Sequence, residues 1–170
     1  MVTDSFPTLI GAPLAQVAWV VRDIQAAEKF FQETLGVGRF WKMENLRAQE
    51  MDGTYYGQPG DWEYHLYLAY LGEMQIELIQ PISGRSIFHD FLDRHGPGVQ
   101  HVAYLVPESD YDQAATELSG RGYPLIQRLR FIPATVGFFD TYAEIGVATE
   151  IIGLTDAGRH LLEQIKHGNF

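Results

Sequence analysis

The chain has 170 residues and no cysteine, and its 12 Lys and Arg against 22 Asp and Glu give a formal net charge of −10. This length suits one compact domain that can bury a core without disulfides or a structural metal. The lack of cysteine excludes disulfide scaffolds, thiolate nucleophiles, iron–sulfur clusters and Cys-ligated zinc. The acidic balance opposes binding to nucleic acid or to an anionic membrane, because phosphate groups need a clustered positive field.

The apolar runs and the N-terminal residues predict a soluble protein. No apolar run reaches the roughly 20 residues that span a bilayer. Residues 1–13 lack a basic segment followed by an apolar one, which a secretory signal would need. We therefore expect no cleaved signal, no membrane association and a cytoplasmic location.

A short pattern occurs twice along the chain. Gln16–Val21 reads QVAWVV and His101–Val106 reads HVAYLV, and both are rich in the β-branched and aromatic residues typical of strands. A helical pattern follows each copy, with Asp23 as the predicted N-cap of the first helix and Asp110 as that of the second. Further strands are predicted beyond each helix, so both copies read β-α-β-β-β.

The chain is therefore predicted to be a single domain over residues 1–170 that contains two related modules and two further helices. In chain order these parts are a first module at 14–81, a connecting helix at 86–94, a second module at 99–153 and a C-terminal helix at 156–167. Two irregular stretches, 44–61 and 130–137, are candidates for a mouth or a lid, because long loops in compact domains are usually functional.

Four polar side chains stand out when each strand is divided into its two faces. Successive side chains of a strand point to opposite faces, and four strands carry one polar residue each on a face that is otherwise apolar or small: Gln16, Glu77, His101 and Glu150. Isolated carboxylates on such faces are costly unless they are paired or bound to a cation. Two carboxylates, an imidazole and an amide oxygen make a suitable ligand set for a divalent metal ion. Taken singly, each residue also has an ordinary explanation as a solvated or structural side chain.

Several segments of the sequence resemble the vicinal oxygen chelate superfamily, which includes glyoxalase I, methylmalonyl-CoA epimerase, extradiol dioxygenases and bleomycin-resistance proteins. The segments that carry the resemblance are Gln16–Asp23, Phe30–Gly36, Ile76–Pro81, Gly98–Tyr104 and Gly146–Ile151. The middle of the chain is most similar to methylmalonyl-CoA epimerase. The resemblance implies an α+β fold in which two tandem βαβββ modules form a cup-shaped, barrel-like mixed sheet, known as the glyoxalase fold.

The resemblance also implies a ligand set and a chemistry. Gln16, Glu77, His101 and Glu150 would hold one divalent ion of Zn, Mn, Co, Ni or Fe. The epimerase branch usually has His where this chain has Gln16, whereas a Gln, Glu, His, Glu set resembles one branch of glyoxalase I. The implied enzyme removes a proton next to a metal-bound carbonyl, as an epimerase, an isomerase or a glyoxalase-type lyase, with Glu150 as the base.

The residues around this centre are assigned by the same resemblance and by residue type. His65 is a candidate second acid–base group, since imidazole titrates near neutral pH. A small carbonyl-containing substrate is expected, with contacts from four further residues: Tyr67, Arg128, Arg130 and Phe139. The aromatic residues around the expected mouth favour a weakly charged, aromatic or polyketide-like compound, and the family favours a homodimer.

Two other functions stay open at this point. The first is a metal-free binding or resistance protein of the same fold, in which the four polar residues form a hydrogen-bonded cluster. The second is a ring-cleaving dioxygenase, which Gln16 disfavours because the iron of such enzymes takes two His and one carboxylate.

Overall fold

A computed structural model describes residues 12–170 of the chain. The expectation that the N-terminus carries no signal concerns residues 1–11 above all, which lie outside the described range. No helix within 12–170 is long and apolar enough to cross a membrane.

The described residues form one sheet of ten strands, accompanied by five helices. The strands are β1 Leu14–Val20, β2 Trp41–Arg47, β3 Thr54–Tyr55, β4 Gln58–Pro59, β5 Glu63–Leu71, β6 Met74–Ser83, β7 Gly98–Pro107, β8 Leu125–Phe131, β9 Ala134–Phe139 and β10 Ala148–Leu154. The helices are α1 Ile24–Glu33, α2 Ile87–His95, α3 Glu108–Gly120, α4 Tyr142–Ile145 and α5 Asp156–Lys166.

The sheet confirms the predicted duplication and the α+β glyoxalase fold. The strand order is β2-β5-β6-β1-β7-β10-β9-β8-β3-β4. β1 runs parallel to β6 in the first module, and β7 runs parallel to β10 in the second. The antiparallel pair β1–β7 joins the modules at the centre of the sheet. As a result the first strand and the last strand of each module all lie next to one another.

Strand alternation divides the core into an outer and an inner face of the sheet. On the outer face, α1 covers the first module over residues such as Ile76, and α3 covers the second over residues such as Ile151. The inner face carries a larger cluster that includes Val20, Trp62 and Phe138 and is joined by α2. The buried side chains of both faces alternate along each strand, as the period of two requires.

Side-chain hydrogen bonds cap α1 and α2, whereas the start of α3 differs from the prediction. The side chain of Asp23 accepts a hydrogen bond from the Ala26 N–H at 2.9 Å, and Ser86 caps α2 through the His89 N–H at 3.3 Å. The prediction that Asp110 caps α3 is wrong, because this helix begins at Glu108, directly after the strand. Asp110 lies inside the first turn, where its negative charge interacts favourably with the positive end of the helix dipole.

Two stretches predicted to be irregular contain regular structure. Residues 130–137 form the tight end of the β8–β9 hairpin. Residues 44–61 continue β2, make a short 3-10 turn and then form the β3–β4 hairpin, which pairs with the outer edge of β8. This hairpin caps an edge whose backbone groups would otherwise be unpaired. β9 ends at Phe139, and α4 follows it.

Candidate metal centre

The four predicted ligands lie in two rows on the inner face, on four adjacent strands. Ala18 on β1 pairs with Glu77 on β6 and with His101 on β7. Two positions along, Ala103 on β7 pairs with Gln16 on β1 and with Glu150 on β10. Each row therefore places one ligand on either side of a fully buried alanine. The small alanine side chains leave the space between the ligands open.

Three of the ligand side chains converge on one point. His101 Nε2 lies 3.0 Å from Glu77 Oε2 and 3.1 Å from Glu150 Oε2. One ligand atom from each of the three residues lies within 4.8 Å of the other two. Gln16 is also buried and lines the same cavity as Glu77 and Glu150.

The atoms that converge here have few hydrogen-bond partners. Within the described residues, both amide atoms of Gln16 are buried without a partner, and Glu77 Oε2, His101 Nε2 and Glu150 Oε2 have no partner other than one another. Leaving one such group unsatisfied costs about 1–3 kcal/mol, and native proteins bury few of them. A cation would satisfy the carboxylate oxygens, the imidazole nitrogen and the amide oxygen together. The donor set of one nitrogen and three oxygens suits a first-row divalent metal, so the residues fit the ion that the family implies.

A neighbouring hydrogen-bond chain fixes the orientation of His101. Its Nδ1 lies 2.6 Å from Gln100 Oε1, and Gln100 Nε2 donates to the Tyr142 hydroxyl at 2.5 Å. Because the amide oxygen can only accept, Nδ1 carries a proton, and Nε2 is the ring atom that faces the two carboxylates and could bind a metal ion once it is deprotonated. A register shift between β1 and β7 leaves Gln100 as an extra residue, with Ala18 opposite His101 and Trp19 opposite Val99. Such bulges redirect side chains, and partners of this kind hold metal-binding imidazoles in place.

Without a metal ion the centre holds protons tightly. Burial by itself would lower the pKa of His101, but the carboxylates of Glu150 and Glu77 outweigh it and raise this pKa to about 9. Burial raises the pKa of Glu150 to about 7, against the opposing effect of His101. A divalent ion and these protons compete for the same lone pairs.

We expect the affinity for Mn²⁺ to rise with pH up to about 9. Between the two pKa values of about 7 and about 9, the ion displaces the His101 proton, so the affinity gains about tenfold per pH unit. The gain is steeper below 7, where Glu150 also releases a proton, and it levels off above 9. Calorimetric titrations in buffers of different ionisation enthalpy count the released protons. An affinity that stays flat from pH 7 to 9 contradicts this expectation.

The stability of the metal-free protein changes with pH in the opposite direction to the affinity for Mn²⁺. The His101 pKa of about 9 lies above its usual 6.5. The stability that its protonation contributes is therefore complete below 6.5 and is lost as the pH rises to 9. Thermal melts of the metal-free protein over this pH range measure this loss of stability. They serve as the internal control for the titrations with Mn²⁺.

Replacing Gln16 with leucine tests whether the cluster serves a cation or the fold. The change removes two buried amide atoms that lack partners, so we expect the metal-free protein to gain about 1 kcal/mol or more in unfolding free energy. The affinity for Mn²⁺ falls, since one oxygen ligand is lost. Chemical denaturation and calorimetric titration measure the two effects. A clear loss of metal-free stability would instead identify Gln16 as part of a structural hydrogen-bond cluster.

The centre opens onto a mostly apolar cavity on the inner face. The space inside it is about 710 Å³ when the open mouth and the adjoining solvent are included. The wall draws on both modules and on α5, with contributions from Trp41, Leu66, Phe131, Phe138 and Leu162. The ring of Phe138 packs edge-on against His101, with centroids 5.0 Å apart.

The other predicted site residues do not line this cavity. His65 accepts a hydrogen bond at Nδ1 from the Asn45 N–H at 3.0 Å, and Tyr67 packs in the outer-face cluster and donates to Glu44 at 2.7 Å. Phe139 packs with α3 on the outer face. Neither Arg128 nor the exposed Arg130 reaches the wall.

Strand alternation explains all of these positions. In each case an immediate neighbour along the strand faces the cavity: Tyr64 and Leu66 beside His65 and Tyr67, Leu129 and Phe131 beside the arginines, and Phe138 beside Phe139.

Tyr64 is the residue whose role the sequence did not single out. Burial raises the pKa of the Tyr64 hydroxyl well above its usual value, and the charges of Glu77 and Glu150 raise it further. The hydroxyl therefore stays protonated near neutral pH and can donate a hydrogen bond into the cavity. The alternating pattern Tyr64, Leu66, Leu68 was the available signal.

Paired βαβββ modules with four ligand positions on their joined inner strands define a protein of the glyoxalase-fold class. Residues 15–138 match the family model of the Glyoxalase/Bleomycin resistance protein/Dioxygenase superfamily, and the chain belongs to this family. The matched stretch ends before β10, so Glu150 lies beyond it.

Known relatives support the fold. The chain is similar to the uncharacterized protein YqjC of Bacillus subtilis (strain 168), with 26% identity over 92 residues, which are 54% of this chain and 56% of that protein. The match thus spans little more than half of that relative.

Two solved structures extend the similarity over most of the chain. Methylmalonyl-CoA epimerase from Mycobacterium tuberculosis has a TM-score of 0.65 and 21% identity, covering 89% of this chain and 93% of that one. Hypothetical protein BH1468 from Bacillus halodurans C-125 has a TM-score of 0.63 and 22% identity, covering 85% and 95%. At these identities the likeness shows the fold alone.

Proposed function

We propose that the protein is a divalent-metal-dependent enzyme that removes a proton from a carbon next to a carbonyl group, as an epimerase, an isomerase or a lyase. The observation that carries this proposal is the convergence of Glu77, His101 and Glu150 at the base of a cavity, where their facing atoms have no partner other than one another. When bound, a divalent ion polarises a carbonyl oxygen and so acidifies the neighbouring C–H.

Each residue of the candidate metal centre then has a defined role. Gln16, Glu77, His101 and Glu150 hold the ion. Glu150 is also the proposed base, because its carboxylate lines the cavity beside the point where a metal-bound carbonyl group would stand. In an epimerase the same proton, or one from solvent, returns to the other face of the carbon.

The surrounding wall supports this chemistry by excluding water. Phe88 and Phe138 are buried and pack edge to face, with centroids 5.5 Å apart beside His101. A dry, apolar wall strengthens the electrostatic interactions at the reacting atoms. The Tyr64 hydroxyl supplies a hydrogen-bond donor to a polar group of the substrate.

One observation favours a second candidate, a metal-free binding protein. The pKa of about 9 for His101 means that a protonated imidazole can neutralise the facing carboxylates without a metal. The donor set of the described residues contains one His and two Glu, so it does not match the two-His, one-carboxylate iron site of ring-cleaving dioxygenases.

Metal binding and proton exchange together test the proposal. Protein stripped with a chelator is titrated with Mn²⁺, Co²⁺, Ni²⁺ and Zn²⁺, and we expect one ion per chain and a higher melting temperature. The loaded protein is then incubated in D₂O with a panel of hydroxyketones and diketones, and proton NMR follows loss of the signal next to the carbonyl. Glu150→Gln should abolish this loss. Absence of metal binding supports the binding protein, and metal binding without exchange contradicts the proposed chemistry.

A further inference from the structure

We propose that the cavity selects a neutral, largely apolar carbonyl compound and rejects carboxylates and coenzyme A esters. This inference rests on the proposed metal site and names its substrate class. It separates this chain from the methylmalonyl-CoA epimerases whose fold it shares, because the substrate named for those proteins carries a carboxylate.

The first observation is the absence of positive charge from the cavity wall. Among residues 12–170, the wall includes no Lys and no Arg. Its ionisable groups are the acidic ligands Glu77 and Glu150 and the tyrosine hydroxyl of Tyr64. A substrate carboxylate that entered this cavity would leave water without meeting a counter-charge, which is costly in an apolar site.

Three basic side chains on the elements that form the wall are engaged elsewhere, and Arg128 and Arg130 on β8 lie outside the wall. Lys42 on β2 pairs with Glu28 on α1 at 2.7 Å, and Arg47 pairs with Glu63 at 3.5 Å. On α5, Arg159 donates to the Leu154 carbonyl at 3.1 Å. None of these three side chains is available to pair with a substrate in the cavity.

The second observation is the charge balance of the metal centre itself. Glu77 and Glu150 contribute two negative charges, whereas Gln16 and metal-bound His101 are neutral. The two carboxylates neutralise a divalent ion completely, so no positive charge remains to compensate an anionic substrate. A neutral compound keeps the buried centre uncharged until a proton is removed, so the negative charge develops only during the reaction.

The third observation is the composition of the wall. Trp41, Phe88, Phe131 and Phe138 present aromatic rings, and Met43 and Met51 add flexible apolar side chains that adapt to irregular ligands. On α5, Leu161 and Leu162 also contribute to the wall. These surfaces favour a ring-bearing compound whose oxygens point to the metal centre.

A matched pair of probes tests the inference. 1-Phenylpropane-1,2-dione and benzoylformate have nearly the same shape, but a methyl group in the first stands where the second has a charged oxygen. Both are titrated into Mn²⁺-loaded protein, with the fluorescence of Trp41 in the wall and calorimetry as readouts. We expect the dione to bind at least about tenfold more tightly than benzoylformate, and acetoacetyl-CoA not to displace it.

The outcomes separate this inference from the proposed function. If no Mn²⁺ binds, the proposed metal site fails. If Mn²⁺ binds and benzoylformate or acetoacetyl-CoA binds as tightly as the dione, the metal site stands and the neutral-substrate inference is overturned. The inference is also overturned if Mn²⁺ binds and the dione does not.

A single added charge provides a gain-of-binding test. Met43→Lys places a cation on the wall at a half-buried position, and we expect it to shift the preference toward benzoylformate by at least about tenfold with unchanged affinity for Mn²⁺. Met74→Lys is the matched control, because Met74 is also partly buried but packs against the outer-face cluster. An unchanged preference in folded Met43→Lys overturns the inference. The wild-type comparison stands even if this variant does not fold.

Discussion

Replacing Glu77 with glutamine lowers the affinity for Mn²⁺ by about 100-fold or more. Glu77 Oε2 lies 3.0 Å from His101 Nε2, and its side chain is only 6% exposed, so no solvent-borne group can take its place. The substitution keeps the shape but removes one of the two negative charges that balance the ion. Loss of a hydrogen bond to a metal ligand already costs 10–100-fold in affinity, so loss of a charged ligand costs more. Calorimetric titration with Mn²⁺ measures the change.

The metal-free form of this variant separates binding from folding. Glu77 also helps to neutralise protonated His101 in the metal-free protein, so we expect the melting temperature of metal-free Glu77→Gln to fall, and the affinity for Mn²⁺ is measured well below that temperature. Glu73→Gln is the control, since Glu73 is 88% exposed and pairs with Lys166 at the surface. An affinity for Mn²⁺ within about threefold of the control value would show that Glu77 does not bind the ion.

The residue pattern sufficed to predict the duplicated modules and the four polar residues of the centre. The pattern works because the period of a strand is short and regular, so a single polar residue on an apolar face is visible in the sequence. Glu77 and Glu150 lie on the last strand of each module, and the repeat places both beside the first strand of their own module. The ligand positions therefore follow from local pattern and topology together.

The residues around the centre could not be predicted in the same way. A shift of one residue moves a side chain to the opposite face, so a resemblance that indicates the region of His65 does not show that Tyr64 is the residue facing the cavity. The bulge at Gln100 depends on how β7 pairs with β1, and nothing within β7 alone marks it. The contribution of α5 to the wall likewise depends on tertiary packing.

The alanines between the ligands offer a test that changes no ligand. Ala18 lies between Glu77 and His101, and Ala103 lies between Gln16 and Glu150. Valine at either position adds two methyl groups to the space in which the ion would lie. We expect Ala18→Val and Ala103→Val to lower the affinity for Mn²⁺ by about 100-fold or more and, through overpacking, to cost about 1–3 kcal/mol of unfolding free energy.

Ala69→Val separates the two effects, because Ala69 is also fully buried on a strand but packs in the outer-face cluster. Ala69→Val should lower the unfolding free energy by a similar amount and keep the wild-type affinity for Mn²⁺. The comparison requires only calorimetric titration and chemical denaturation of the three variants. If Ala18→Val and Ala103→Val bind Mn²⁺ as well as Ala69→Val does, the ion does not lie between the two rows. The four side chains would then be a polar cluster that joins the modules without a metal.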